Sequence, residues 1–186
     1  RMNGFESSGA HSALFDAELT VKVLGLIKKN QPQTWGTFLR TANKVDTEVI
    51  IKKEKIFTLA EYHFGKNYRY VVSPLHPKHC IHPIYQWGQA VDLKVDPVPL
   101  LNMSVSELKG AIKKLKFLKT IRSNKAPIIL EASYGMQVEP YSKLDPDLIK
   151  ERARLVNSNE KFSQNILTAL RENAEEKAQF DSQEDL

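Results

Sequence analysis

A single cysteine in 186 residues, Cys80, leaves no partner for an intrachain disulfide and fits a reducing compartment. No apolar run approaches the roughly 20 residues that span a bilayer, so no membrane partner is expected. A basic leader followed by an apolar core is also missing, and secretion has no support. There is no glycine-rich phosphate loop, Ser/His/Asp set, nucleophilic cysteine motif or paired-carboxylate hydrolase signature. Internal repeats and low-complexity tracts are lacking as well. These absences leave a soluble, cytoplasmic globular chain.

With 41% hydrophobic and 26% charged residues, the chain can bury a substantial core. Its net charge of +5 conceals an asymmetry. Residues 1–144 carry net +9 and residues 145–186 carry net −4. A basic body with an acidic end suits a polyanion-binding surface, although lysines that only confer solubility would give the same balance.

The most informative stretch is Ala10 to Pro32. At helical spacing Leu19, Val23 and Ile27 share one arc, flanked by Ala13 and Leu26, while Glu18, Lys22 and Lys29 lie opposite. Asp16 falls inside the apolar arc, and a carboxylate buried there unpaired costs several kcal/mol. A divalent cation would compensate it, as would a core Arg or Lys. His11, at the helix start, is placed to act as a general base near neutral pH.

His11-x-Ala13-x-x-Asp16 resembles the third motif of the DnaQ-like 3′→5′ exonucleases of the DEDD type with histidine. The flanking Asn3-Gly4-Phe5-Glu6, Ser8-Gly9-Ala10 and Lys28-Lys29-Asn30-Gln31-Pro32 resemble the bacterial exodeoxyribonuclease I family more narrowly. So do Tyr70-Val71-Val72-Ser73-Pro74-Leu75, Gln89-Ala90-Val91-Asp92-Leu93, Pro99-Leu100-Leu101 and Ile121-Arg122-Ser123-Asn124-Lys125-Ala126-Pro127. The resemblance implies Asp16 as a metal ligand and His11 as the base that activates water. It also implies a two-metal Mg²⁺ site, single-stranded DNA as substrate in repair and recombination, and a monomer. A further implied partner is the acidic C-terminal tail of the single-stranded DNA-binding protein. The family site needs an Asp-x-Glu on a strand far upstream. The only one here, Asp46-Thr47-Glu48, lies downstream and is expected to be a turn entering a strand. The chain is therefore expected to be the C-terminal part of a longer enzyme and inactive alone.

The implied fold is α+β. Residues 1–31 would supply the last loop and helix of an RNase H-like exonuclease domain, and 32–186 an SH3-like β-barrel with appended helices. The residues themselves allow a small barrel or a strongly twisted sheet. Gln31 to Lys44, with Trp35 to Leu39 as a short helix, reads as the interdomain connection. Strands are expected at Val49–Ile51, Ile56–Tyr62, Tyr68–Val72, Ile84–Leu93, Phe117–Ile121 and Ile128–Ala132. Gly65-Lys66-Asn67 would be a hairpin turn. Ser104 and Glu107 form a capping box for a helix over 104–115. Asp145-Pro146 opens one over 145–157, and Phe162, Ile166, Leu167 and Leu170 mark another over 159–180, frayed from Glu175.

Two groups could bind ligands. His76, His79, Cys80 and His82 lie within seven residues, and zinc can bind such ligands, but with no second ligand pair and prolines on both sides the segment reads as a surface loop. Lys52, Lys53, Lys55, Lys66 and Arg69 accompany Tyr68 and Tyr70, the combination that holds single-stranded nucleic acid. Tyr68 and Tyr70 share a strand face, so they are core together or platform together. The lysine run from Lys109 to Lys125 has no interleaved aromatic and reads as a solvated face. Two alternatives remain: another DnaQ-like enzyme, an RNase or a proofreading subunit, and a non-catalytic module that binds nucleic acid or protein.

Overall fold

A computed structural model describes residues 12–184, with side chains as far as Gln179. The chain divides into two compact units, one ending at Leu39 and one beginning at Arg40.

In the first unit α1 spans Ala13–Asn30, and α2, Pro32–Arg40, belongs to it up to Leu39. The Ser12 hydroxyl caps α1 by accepting from the Phe15 amide at 3.1 Å. Pro32 cannot extend α1, so its ring sets the first turn of α2. No residue of α1 is buried.

The second unit opens on a helix where a strand was expected. Val49–Ile51 is helical, within α3, Lys44–Lys53, and Asp46-Thr47-Glu48 lies in its first turns rather than in a turn before a strand. Asn43 caps this helix, its side chain accepting from the Asp46 amide at 2.9 Å. Thr47, Ile50 and Ile51 then fall on one buried stripe at i, i+3, i+4. Burial of that stripe outweighs the strand preference of the β-branched run.

Five antiparallel strands follow: β1 Phe57–His63, β2 Lys66–Pro74, β3 Gly88–Asp92, β4 Leu118–Ile121 and β5 Ile128–Leu130. They are ordered β4-β3-β2-β1-β5. The β1–β2 hairpin turns on Phe64-Gly65, not on Gly65-Lys66-Asn67, since Tyr62 pairs with Asn67 and His63 with Lys66. Both turn residues have positive φ, 50° and 76°, the type I′ geometry that matches strand twist.

Helices α4 Val98–Leu101, α5 Val105–Leu115, α6 Ala132–Met136, α7 Pro146–Ser158 and α8 Glu160–Glu184 complete the unit. The Ser104–Glu107 capping box is present, and Asp145 caps α7 with Pro146 at its first position. The expected fraying from Glu175 is not seen, because α8 stays helical to Glu184.

Strand alternation divides the core. Phe57, Leu59, Val72, Ala90, Ile121 and Ile129 share one cluster with Ile51 of α3, Leu108 of α5 and Phe162 and Ile166 of α8. Val71, pointing the other way, packs with Leu93, Tyr141, Ile149 and Ala153. Gly135 fits where a Cβ would come within 2.6 Å of the Val71 side chain, while its amide donates to Thr58 Oγ1 at 2.9 Å. The sheet curls enough that Glu61 of β1, Lys119 of β4 and Ile128 of β5 line a single cavity.

Candidate nucleic-acid interface

The large cluster fills only one end of its sheet face. Towards the hairpin, the same face continues as Tyr70, Tyr68, Glu61, His63 and Lys66. Tyr70 is half-buried and Tyr68 is exposed. Their rings are parallel, 3° apart in orientation, with centroids 6.2 Å apart. The His63 ring lies 6.3 Å beyond Tyr68. At the other end, Lys119 Nζ sits 3.6 Å from the centre of the Tyr70 ring, a cation–π contact. A file of rings therefore runs from a cation to the hairpin turn. The two tyrosines share a face as expected, Tyr70 packed against the core cluster and Tyr68 exposed beside it.

Behind this file lies a buried charge. Asp92, wholly enclosed, accepts from the Tyr141 hydroxyl at 2.5 Å and the Lys94 amide at 3.2 Å through Oδ1. Its Oδ2 faces Lys94 Nζ at 3.3 Å and Lys119 Nζ at 3.9 Å, without a hydrogen bond of good geometry. Burial lowers the Lys119 pKa, and Asp92 opposes that shift. Burial and the nearby carboxylate push the Tyr141 phenol up, so it remains a donor. Burial, then Glu61, Asp92 and Tyr68, raises Tyr70. Asp92 thus holds Lys119 beneath the ring file.

A cavity of about 430 Å³ opens beside the file, lined by Tyr68, Arg69, Tyr70, Lys94, Glu139 and Tyr141 among others. Arg69 is exposed, and its Nη1 donates to the Tyr134 carbonyl at 3.4 Å. A second cavity, of about 520 Å³, is lined by Tyr62, His63, Lys119, Arg122 and Lys125 among others. Aromatic faces beside cations can receive stacked bases and phosphates.

The structure divides the residues that the sequence grouped. Lys66, Tyr68 and Tyr70 share a face of β2 with Arg69 beside them. Lys52 and Lys53 end α3 and Lys55 follows it, all exposed, and Lys52 acts electrostatically on Cys80. Lys119 was missed because it lies in a lysine run. Its pairing opposite Ala90 on β4 turns it inward, leaving its side chain 17% exposed. Elsewhere in that run Lys109 instead pairs with Glu172 and Glu176 of α8.

His11 lies outside the described residues. Asp16 is exposed in the first turn of α1, so the burial argument for a compensating cation does not hold within this chain. Leu19, Leu26 and Ile27 are half-buried and Val23 is exposed, so the apolar arc encloses nothing around Asp16. No group of three His, Cys, Asp or Glu side chains suited to a metal occurs among the described residues. The described residues do not by themselves fit a two-metal centre.

The His76–His82 segment does not gather its ligands. His76 Nδ1 accepts from the Lys78 amide at 3.4 Å, and His79 meets Glu160 at 3.1 Å. Cys80 is buried, which raises its thiol pKa. Buried His82 accepts through Nδ1 from the Ile84 and Tyr85 amides at 3.1 and 3.2 Å. Its ring therefore caps the turn in the neutral form, and burial lowers its pKa. The unfolded chain takes up this proton first as pH falls below about 6.5. Stability should consequently decline on acidification from that point, by up to about 1.4 kcal/mol per pH unit from this one group. The decline should shrink in His82→Asn, whose amide oxygen can still accept. Urea midpoints of both proteins at pH 7.5 and 5 check this, and equal losses would remove His82 as the cause.

No family model and no curated protein matches the sequence. Solved structures do match. One is a moderately thermophilic exonuclease I from Methylocaldum szegediense, with TM-score 0.64 and 22% identity over 87% of this chain and 37% of that one. Another is Escherichia coli exonuclease I in complex with a dA16 oligonucleotide, with TM-score 0.62 and 21% identity over 91% and 38%. An exonuclease I complex with the SSB C-terminus gives TM-score 0.63 and 19% identity over 90% and 38%. This chain thus spans little more than a third of these proteins. It has the fold of exonuclease I over the corresponding part.

Proposed function

We propose that this chain is part of a 3′→5′ exodeoxyribonuclease acting on single-stranded DNA in repair and recombination, and that its curled sheet, read as the SH3-like barrel, holds the strand. The parallel Tyr68–Tyr70 pair, with Lys119 beneath it and Lys66 and Arg69 beside it, carries this reading. Bases stack on the exposed rings and the cations meet phosphates. Exonuclease I structures with single-stranded DNA support the same reading.

In the complete enzyme Asp16 serves as one metal ligand and His11 as general base. Exonuclease I is known in metal-free and zinc-bound forms, and we propose Mg²⁺ as the working ion. The remaining carboxylates lie elsewhere in that enzyme. The acidic C-terminal tail of a single-stranded DNA-binding protein is a second partner, as in the exonuclease I complex.

Fluorescence anisotropy with a labelled single strand tests the binding role. Affinity should fall steeply with salt. Lys66→Gln with Arg69→Gln should flatten the log–log slope by about 1.4, the release of two counterions from a single strand. An unchanged slope would take both residues off the strand. Incubation of the same chain with Mg²⁺ and a 3′-labelled strand should release no nucleotide. Release by the clean chain would contradict the assignment of the missing carboxylates elsewhere.

A further inference from the structure

Phe64 stands at the first turn position of the β1–β2 hairpin with its side chain completely exposed and its φ at +50°. A type I′ turn favours Asn or Gly there, and a bulky residue at positive φ is an outlier. The adjacent Gly65, at φ +76°, has the residue type this turn wants, so the sequence departs from the rule at one position only. Local backbone chemistry does not account for a phenyl ring there. No described contact uses it in the folded chain.

Its surroundings suggest a use. The ring file Tyr70–Tyr68–His63 leads along the sheet to this turn, and Phe64 is the next residue after His63. Tyr62, just before, is also highly exposed. Lys66 is in the first pair of β2, directly across from His63. An apolar ring at a tip, continuing a row of aromatic rings and flanked by a cation, matches the chemistry of an unpaired nucleobase beside its phosphate.

We propose that Phe64 is a base-stacking wedge that engages a nucleobase of single-stranded nucleic acid at the hairpin tip. The inference rests on the strand-binding role proposed above and adds the residue that takes hold of a base. Phosphate contacts made by Lys66 set salt dependence, whereas Phe64 contributes a part that salt does not remove.

The test uses the 186-residue chain with a fluorescent single strand and a strand of equal length lacking bases. Phe64→Asn installs the residue this turn prefers, so the variant should melt at or above the wild-type temperature. Its affinity for the normal strand should fall about 5- to 150-fold, the range for losing one stacked base. The salt slope should stay the same, and Phe64→Trp should retain wild-type affinity. The baseless strand should bind wild type and Phe64→Asn equally. Equal affinity of wild type and a folded Phe64→Asn for the normal strand overturns the wedge while leaving strand binding in place. No binding of any strand by wild type, even at low salt, overturns both, and would leave Phe64 to a protein or lipid surface.

Discussion

Asp16→Asn, made in the longer enzyme that we propose contains this chain, should lower turnover by several orders of magnitude while strand binding persists. The change keeps size and hydrogen bonding but removes the charge that would hold a metal, and metal ions supply much of the charge stabilisation in phosphodiester hydrolysis. Because Asp16 is exposed in the first turn of α1, the substitution should cost this chain little stability. A rate loss without a melting-temperature loss is therefore the signature. His11→Ala should cost less, about 10²- to 10⁴-fold, and flatten the pH–rate profile near neutrality. Near-normal turnover in either folded variant removes that residue from its role.

Asp92→Asn should destabilise the 186-residue chain by about 2–4 kcal/mol. Breaking a buried ion pair costs about 3–5 kcal/mol when both partners are enclosed. Here Lys94 is 39% exposed and can turn to water, which reduces the loss. Lys119, only 17% exposed, would keep its charge beneath Tyr70 without an opposing carboxylate. Asparagine can still accept from the Tyr141 hydroxyl, so the effect isolates the charge. Adding Lys119→Met should recover much of the stability, since both the buried charge and its uncompensated partner are then gone. Urea unfolding of the three proteins measures this, and an Asp92→Asn loss below about 0.5 kcal/mol would show that the network does not hold Lys119.

Much of the fold was legible where local chemistry sets it. Ser104 with Glu107, and Asp145 with Pro146, fix helix starts through groups within one turn of each other, and both lie where the sequence places them. All five strands were marked by β-branched and aromatic residues, although the stretch Ile84–Leu93 is strand only over β3, Gly88–Asp92. Val49–Ile51 misled because the same residues suit a strand or a buried helical stripe, and Asn43 decided between them. Phe64-Gly65 was passed over because a phenylalanine is an unlikely occupant of a type I′ turn.

The site was less legible. Tyr68 and Tyr70 could be paired by alternation alone. Lys119 could not be separated from its lysine neighbours without knowing that β4 pairs with β3 and faces Asp92. The helical arc around Asp16 reports the amphipathic character of α1, not what covers it, and so said nothing firm about burial. Lys52, Lys53 and Lys55 joined the β2 residues only through proximity in sequence.

Chemical-shift mapping of this chain with a single-stranded oligonucleotide tests the central claim most directly. The account predicts that the largest changes fall on Lys66 to Tyr70, on Lys119 and on the Tyr68 and Tyr70 rings, with Lys52 to Lys55 and α8 little affected. Changes confined to α8 or to Lys52–Lys55, or none at low salt, would contradict it.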